Sequence, residues 1–395
     1  MADLIAIAQA RSRVLEAARP LAAEPVPVAD ALGRVLADDL ESAISVPPFD
    51  SSAMDGFAVI AGEAAELEVI GEARAGHPAR VPVGPGTAIA ISTGAAVPEG
   101  ATAVVPVERT EAAADSVRVP ATQPGANIRC AGEDIAAGEV VLRRGDVLSP
   151  AALGVAASVG RAELSCARQP RVALLVTGDE LTDPGRPLEP GAIYSSNAYA
   201  LAGQVRRAGA LLAGNSRVPD DARATMDAIG AALGAADVVV VSGGVSVGPH
   251  DHVKDAFARQ DAEERFWGVG LRPGKPVWFG TRGDTLAFGL PGNPVSAMVT
   301  FQLFVRPALA ALQGGDPSIT RTTARLEHAV PRNPRREQAV RVRLVAGDGG
   351  WRASPTKGAQ GSHVLTSMLG ADALALIAPG DGDAPAGELV EVELL

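Results

Sequence analysis

The chain has 395 residues, of which 47% are hydrophobic, and a formal net charge of −11. That length calls for two to four domains, and no apolar run is expected to reach the roughly 18–20 residues of a membrane span. The acidic balance disfavours nonspecific nucleic-acid binding, which feeds on a basic surface, so an anionic small substrate would need a local positive site.

The first twenty residues read as an amphipathic helix. Asp3 stands near its start, Leu4, Ile7, Val14 and Leu15 form its apolar side, and Pro20 ends it. No basic-then-apolar-then-small export pattern is present there, and a cytoplasmic location is expected. The two cysteines, Cys130 and Cys166, are far apart and suggest neither a disulfide nor a zinc site. A second helical or irregular segment covers VADALGRVLADDLES. From 45 to about 138 the texture changes to short β-type runs (LEVIGEA, TAIAISTG, TAVVPVE, SVRVPA) punctuated by glycine and proline, which predicts a β-rich domain. SPAALGVAASVG at 149–160 reads as a helix again. It is expected to pair with the N-terminal helix, making the β domain an insertion between two halves of a helical one.

From 171 strands and helices alternate. RVALLVTG, ALLAGNSRV, ADVVVVSGG, KPVWFG and TLAFGLPG read as strands, and 197–208, ARATMDAIGAALG, DHVKDAFAR and PVSAMVTFQLFVRPALAAL as helices. Continuous apolar strands between helices predict a mostly parallel sheet covered on both faces. AVRVRLVA, ALALIAP and ELVEVELL, after the linker QGGDPSIT, predict a C-terminal β barrel or sandwich. The fold class is thus multidomain α/β plus β. The expected domains are 1–43 with 139–168 (helical linker), 44–138 (inserted, β-rich), 169–315 (central α/β) and 320–395 (C-terminal, barrel-like).

An open parallel sheet binds ligands beyond the carboxyl ends of its strands. Those ends carry TGDE (177–180), PDD (219–221), SGGVSVGPHD (242–251), RPGK (272–275) and GLPGNP (289–294). Gly243, Gly244 and Gly248 would let backbone N–H groups approach an anion, aided by the positive end of the helix after Asp251. Ser242 and Ser246 could donate hydroxyl hydrogen bonds, and Arg272 and Lys275 could neutralise an oxyanion. Glu180, Asp220, Asp221 and Asp251 are carboxylates at the same mouth, and hard oxygen donors beside phosphate suit Mg²⁺. Structural alternatives stand beside these readings. One of Asp220 and Asp221 is expected to be only a helix cap, Asp251 is open to the same reading, and GLPGNP could be a turn and helix start alone. His250 and His252 are expected to be solvated. The spacing is neither GxGxxG nor GxxxxGK[ST], so a dinucleotide fold or phosphate loop of those types is not supported. No Ser–His–Asp arrangement is evident.

Taken together, SGGVSVGPHD, VTGDEL, LRPGKP and GLPGNPVSA resemble the molybdopterin-binding domain of the molybdopterin molybdenumtransferase family, the MoeA and gephyrin E-domain type. VPPFDSSAMDGFAV (46–59), STGAAVPEGATAVVPVE (92–108), NIRCAGEDI (127–135) and GAQGSHVLTSM (358–368) resemble that family's second and C-terminal domains, so the resemblance runs along essentially the whole chain. It implies insertion of molybdate into adenylyl-molybdopterin, with Mg²⁺-dependent release of AMP, by a homodimer whose cleft is shared between subunits. Carried over by motif, Asp55, Thr93 and Asp134 would come from one subunit. Glu180, Asp220 or Asp221, Asp251, Arg272, Lys275, Pro291 and Pro294 would come from the other, with Arg341 and Ser362 as C-terminal candidates. The implied catalytic set is Asp55, Thr93, Asp134, Glu180, Asp251 and Lys275, with Glu180 and Asp251 on the metal. Other molybdenum cofactor biosynthesis proteins are implied as further partners, and neither nucleic acid nor membrane is. Many members carry two lysines where this chain has Gly268 and Arg272. A molybdopterin adenylyltransferase and a molybdopterin-binding scaffold or impaired paralogue are the competing readings. The first is disfavoured by the domain plan, and gephyrin-like scaffolding by the lack of an extra domain and linker.

Overall fold

The computed structural model describes residues 4–246, 251–347, 349–356 and 358–395. The N-terminal helix α1 (Ile7–Ala17) buries Ile7, Ala10 and Val14, a spacing that puts all three on one helix face. Leu4 stays exposed and Leu15 is half-buried. The buried face does not meet the second predicted helix. It packs on the core of the central α/β domain, among Leu303, Phe304 and Leu312. Helix α2 (Pro150–Ser158) is capped by the Ser149 hydroxyl, which accepts from Ala152 N at 3.2 Å. It belongs to a different core with Val26, Ala31, Leu36, Leu148 and Leu164. What joins the two flanks of the β-rich segment is strand pairing: Ala23–Pro27 runs antiparallel to Glu163–Ala167. The amphipathic pattern of α1 gave it a face to bury, but not the identity of its partner.

The segment between those flanks builds a six-stranded sheet. Its Gly56–Val59 strand shows the two-residue period directly. Phe57 and Val59 enter a core with Val105 and Val117, while Ala58 enters the opposite one with Ile89 and Val104.

The central sheet has six strands: β1 (Arg171–Thr177), β2 (Leu211–Val218), β3 (Val238–Ser242), β4 (Glu263–Trp267), β5 (Trp278–Arg282) and β6 (Thr285–Leu290), in the order β2-β1-β3-β6-β5-β4. The first four in that order are mutually parallel, and β5 and β4 are antiparallel additions. Sequence analysis did not include β4, a short edge strand whose only fully buried side chain is Phe266. Every residue of β3 is buried, because both faces are covered. Val238 and Val240 face the layer formed by α1, α3 (Ser196–Arg207) and the helical stretch 294–312. Val239 and Val241 face α4 (Ala222–Ala235) and α5 (Val253–Arg259).

That helical stretch begins as α6 (Pro294–Thr300), widens into a π turn over Phe301–Val305 and resumes as α7 (Arg306–Leu312). As one helix, Pro294–Leu312, it has 19 residues and a mean hydropathy of 1.5, enough by length and composition to cross a membrane. This corrects the expectation that no run approaches that length. The physical reason lies in its surroundings: 78% of its most apolar window is buried inside the protein, against the sheet and α1.

At the C-terminal end, Arg321–Leu326, Glu337–Gly347, Gly350–Pro355, Ala373–Ile377 and Leu389–Leu394 pair in a ring, forming a closed barrel. Leu271–Arg272 adds a parallel rung to Glu337–Gln338, tying the RPGK turn to the barrel wall.

Candidate functional site

The strand ends of β1, β3 and β6 open onto a cleft with two adjoining lobes that share Thr177, Glu180, Ser246, Pro276, Pro291 and Gly292. The larger, about 580 Å³, is completed by Tyr194, Ser195, Asn197, Asn293, Pro294 and His363. The smaller, about 270 Å³, is completed by Gly178, Asp220, Gly243, Gly244 and Asp251.

The two adjacent aspartates separate cleanly. Asp221 caps α4, its carboxylate accepting from Arg223 N at 3.0 Å and Ala224 N at 2.8 Å. Asp220 faces the smaller lobe and exchanges hydrogen bonds with Asp179, donating from its N–H to Asp179 Oδ1 at 3.1 Å. Of the two, Asp221 is thus the expected helix cap. Asp251 lies at the smaller lobe beside α5, whose N-terminal residue His252 makes no side-chain cap.

The glycines have an internal explanation that the sequence did not show. Gly243 has φ +101°, and a Cβ there would lie 2.5 Å from Thr177 Oγ1 and 2.9 Å from the Thr177 carbonyl. Its N–H donates to Leu290 O at 3.0 Å. Gly244, at φ +64°, would place a Cβ 2.9 Å from Val253 Cγ2. Close packing of β3 on β1 and α5 thus demands both glycines. Gly248 lies outside the described residues. Ser242 is wholly buried; it accepts from Asn197 Nδ2 at 2.9 Å and donates to Pro291 O at 3.2 Å. Its hydroxyl proton holds the wall of the larger lobe, which Ser242 lines. Ser246 is exposed and lines both lobes.

Arg272 does not share this mouth. It lines a neighbouring cavity of about 390 Å³ with Pro273, Gln338, Arg341, Gln360 and Gly361, between the RPGK turn and the barrel. Lys275 is exposed and lines neither lobe; the adjoining Pro276 does. Arg341 is 1% exposed, and its guanidinium donates to Ser367 Oγ at 3.0 Å, Ala339 O at 3.3 Å and Gly361 O at 3.3 Å, all neutral acceptors. Burial pushes its pKa down to about 10. Arg336 is lowered as well, first by burial and then by the nearby positive charge of Arg272. Ser362 links the two cavities to the GLPGNP turn: its Oγ accepts from Asn293 Nδ2 at 3.1 Å and its carbonyl from Val295 N at 3.1 Å.

In the β-rich segment, Asp55 and Thr93 meet, the Asp55 carboxylate accepting from Thr93 N at 2.7 Å. Asp134 is exposed and anchored through its N–H to Val46 O at 3.0 Å. None of the three lines the cleft of their own chain. Gly268, at a position where many members carry lysine, has φ +87°, and a Cβ there would lie 3.0 Å from Leu4. Its N–H donates to Val277 O and its carbonyl accepts from Ile5 N, so the N-terminal segment occupies this edge.

Sequence reasoning missed Ser195, Asn197 and His363. The first two precede and open α3, and His363 stands within GAQGSHVLTSM, where only Ser362 was singled out. Among the described residues no group of three or more His, Cys, Asp or Glu side chains converges to hold a metal ion. The carboxylates of the smaller lobe fit a Mg²⁺ ion that keeps waters and takes further ligands from a phosphate-bearing substrate.

Three family models match the chain in order: the MoeA N-terminal region (domains I and II) over residues 5–160, the probable molybdopterin binding domain over 173–311, and the MoeA C-terminal region (domain IV) over 323–395. The chain is 38% identical to molybdopterin molybdenumtransferase 2 of Mycobacterium tuberculosis, covering 96% of both chains. It is 36% identical to the molybdopterin molybdenumtransferase of Haemophilus influenzae, covering 99% of this chain and 98% of that one. The crystal structure of a molybdopterin biosynthesis MoeA protein from Pyrococcus horikoshii superimposes with a TM-score of 0.85 at 30% identity, covering 100% of each chain. The carboxylate-lined cleft, the arginine-lined cavity beside it and the barrel that closes them thus sit on a chain that belongs to the molybdopterin molybdenumtransferase (MoeA) family.

Proposed function

We propose that this chain, as a member of a transferase family of molybdenum cofactor biosynthesis, inserts molybdate into adenylyl-molybdopterin and releases AMP in a Mg²⁺-dependent step. One observation carries the reading. The turn Gly361–His363 stands between a carboxylate-lined cleft and a cavity lined by Arg272 and Arg341, so two differently charged compartments adjoin.

The chemistry divides accordingly. Breaking a phosphoric anhydride needs charge neutralisation and an oriented attacking oxygen more than a covalent nucleophile. Mg²⁺, held by Glu180 and Asp251 with ligands from the substrate, would supply part of that neutralisation. Ser246 and Asp220 line the same lobe and would orient the phosphate-bearing end. The larger lobe, with Pro291, Pro294, Asn197 and His363, has room for the pterin. Arg341, a buried cation with neutral partners only, and Arg272 suit the molybdate oxyanion, and the exposed Lys275 adds positive charge to the rim. Asp55, Thr93 and Asp134 would reach the cleft from a second copy in a homodimer. The free thiols of Cys130 and Cys166 suit a reducing compartment, the cytoplasm.

The test is purified protein with adenylyl-molybdopterin, molybdate and Mg²⁺, following AMP. Release that requires molybdate supports the reading, and release indifferent to molybdate overturns it. A monomeric mass by light scattering would overturn the shared cleft alone.

A further inference from the structure

The approach to the cleft after β3 is gathered at its neck by a side chain that touches no lobe. Gly244 O accepts from Val253 N at 3.2 Å, bringing the end of the β3 turn against the start of α5. Trp267, at the end of edge strand β4, reinforces that closure from outside. Its indole N–H donates to Val245 O at 3.2 Å. The ammonium of Lys254, on the first turn of α5, lies 3.9 Å from the centroid of the same ring. One indole therefore grips both sides of the neck, a hydrogen bond to the outgoing strand and a cation–π contact to the returning helix. Val245 is fixed in turn because its Cγ1 lies where a Cβ on Gly289 would be, 2.6 Å away. Ser246 and Asp251, the residues flanking Val245 and α5, both line the smaller lobe. Strand β4 is itself held to β5 by the pairing of Trp267 with Trp278, and Trp278 stacks on Phe257 of α5 at 4.4 Å. The bracket is thus anchored in the core and is not a chance surface contact.

We propose that Trp267, acting with Lys254, is a positioning residue that sets the placement of Ser246 and Asp251 in the smaller lobe, so that turnover depends on the indole N–H and on the charge above its face. This rests on the proposed reaction of that lobe, but its physical part can be tested without it.

Two variants of the full chain separate the contacts: Trp267→Phe keeps an aromatic face and removes the N–H, and Lys254→Met keeps the stem and removes the charge. Hydrogen exchange at the Val253 amide, read against amides of α4 as internal reference, should accelerate roughly fivefold to tenfold in Trp267→Phe, the effect of one lost hydrogen bond. Lys254→Met should show a smaller acceleration at the same amide. In the AMP-release assay kcat should fall about tenfold in Trp267→Phe with KM for molybdate unchanged, because the arginine-lined cavity is untouched. Unchanged exchange at Val253 in both variants overturns the bracket. Faster exchange with unchanged kcat overturns the positioning role. If the wild-type chain releases no AMP with molybdate, the proposed reaction fails, while the exchange result still decides the bracket. A general loss of protection in Trp267→Phe, α4 included, would leave Lys254→Met to decide by the same two readouts.

Discussion

Asn197 donates through Nδ2 to Ser242 Oγ at 2.9 Å and to Gly292 O at 2.8 Å, so one buried amide joins the start of α3, the end of β3 and the turn into α6. These are the three segments that frame the larger lobe. Replacing Asn197 with Leu takes a donor from the exposed Gly292 carbonyl and from the buried Ser242 hydroxyl, a loss of about 1 kcal/mol. Thermal unfolding should show the drop, and an unchanged melting temperature would contradict this account of the cleft wall.

Asp221 and Asp251 should respond oppositely to truncation. Asp221→Ala removes the α4 cap and should cost about 1 kcal/mol in stability while molybdate-dependent AMP release is retained. Asp251→Ala should abolish turnover with the thermal stability of the fold retained. Wild-type rates in the second variant would remove Asp251 from the mechanism.

Gly243→Ala combines a positive φ with a Cβ set 2.5 Å from Thr177 Oγ1. It should lower stability by at least ~1–3 kcal/mol. Adding Thr177→Ala relieves the hydroxyl clash but neither the Thr177 carbonyl at 2.9 Å nor the backbone strain, so recovery should be partial. Full recovery in the double variant would mean that φ carries little of the cost.

Asp237, just before β3, receives two hydrogen bonds from Arg168, at 2.8 and 2.9 Å, and one from Arg171 N at 2.7 Å. Burial alone would raise its carboxyl, but the Arg168 and Arg171 interactions prevail and hold it below its ordinary value of 3.8. A depressed carboxyl stabilises the fold above the unfolded-state pKa and loses that contribution as pH falls through the folded-state one. Asp237→Asn should therefore melt lower than wild type at neutral pH, by about 1–2 kcal/mol. The gap should close in acid below 3.8. A gap independent of pH would show that charge is not its source.

The central sheet was legible because its strands are buried on both faces and read as unbroken apolar runs between helices. β3, VVVVS, shows this most plainly, with alternate valines claimed by opposite layers. Strand β4 was not legible, since an edge strand with one fully buried residue carries little periodic signal. In the site, the carboxylates at the strand ends were visible as a set, but which of Asp220 and Asp221 faces the cleft depends on where α4 begins. SGG was read as space for a ligand, whereas Thr177, 66 positions away in sequence, fills that space. Arg272 and Lys275 read as one basic pair; the rung that Leu271–Arg272 forms with the barrel draws Arg272 to a separate cavity. Contacts between distant segments decide each of these points, and none has a local period.

Glu393, two residues from the end of the chain, is wholly buried, and its carboxylate accepts from Arg11 of α1 at 3.0 and 3.1 Å and from Arg321 at 2.7 Å. Helix α1 therefore finds its ionic partner 382 positions later in sequence, on the last strand of the barrel. Without the Glu393 carboxylate Arg11 would lose its acidic partner on the last barrel strand, while Arg321 would still hold Glu391 at 2.8 Å.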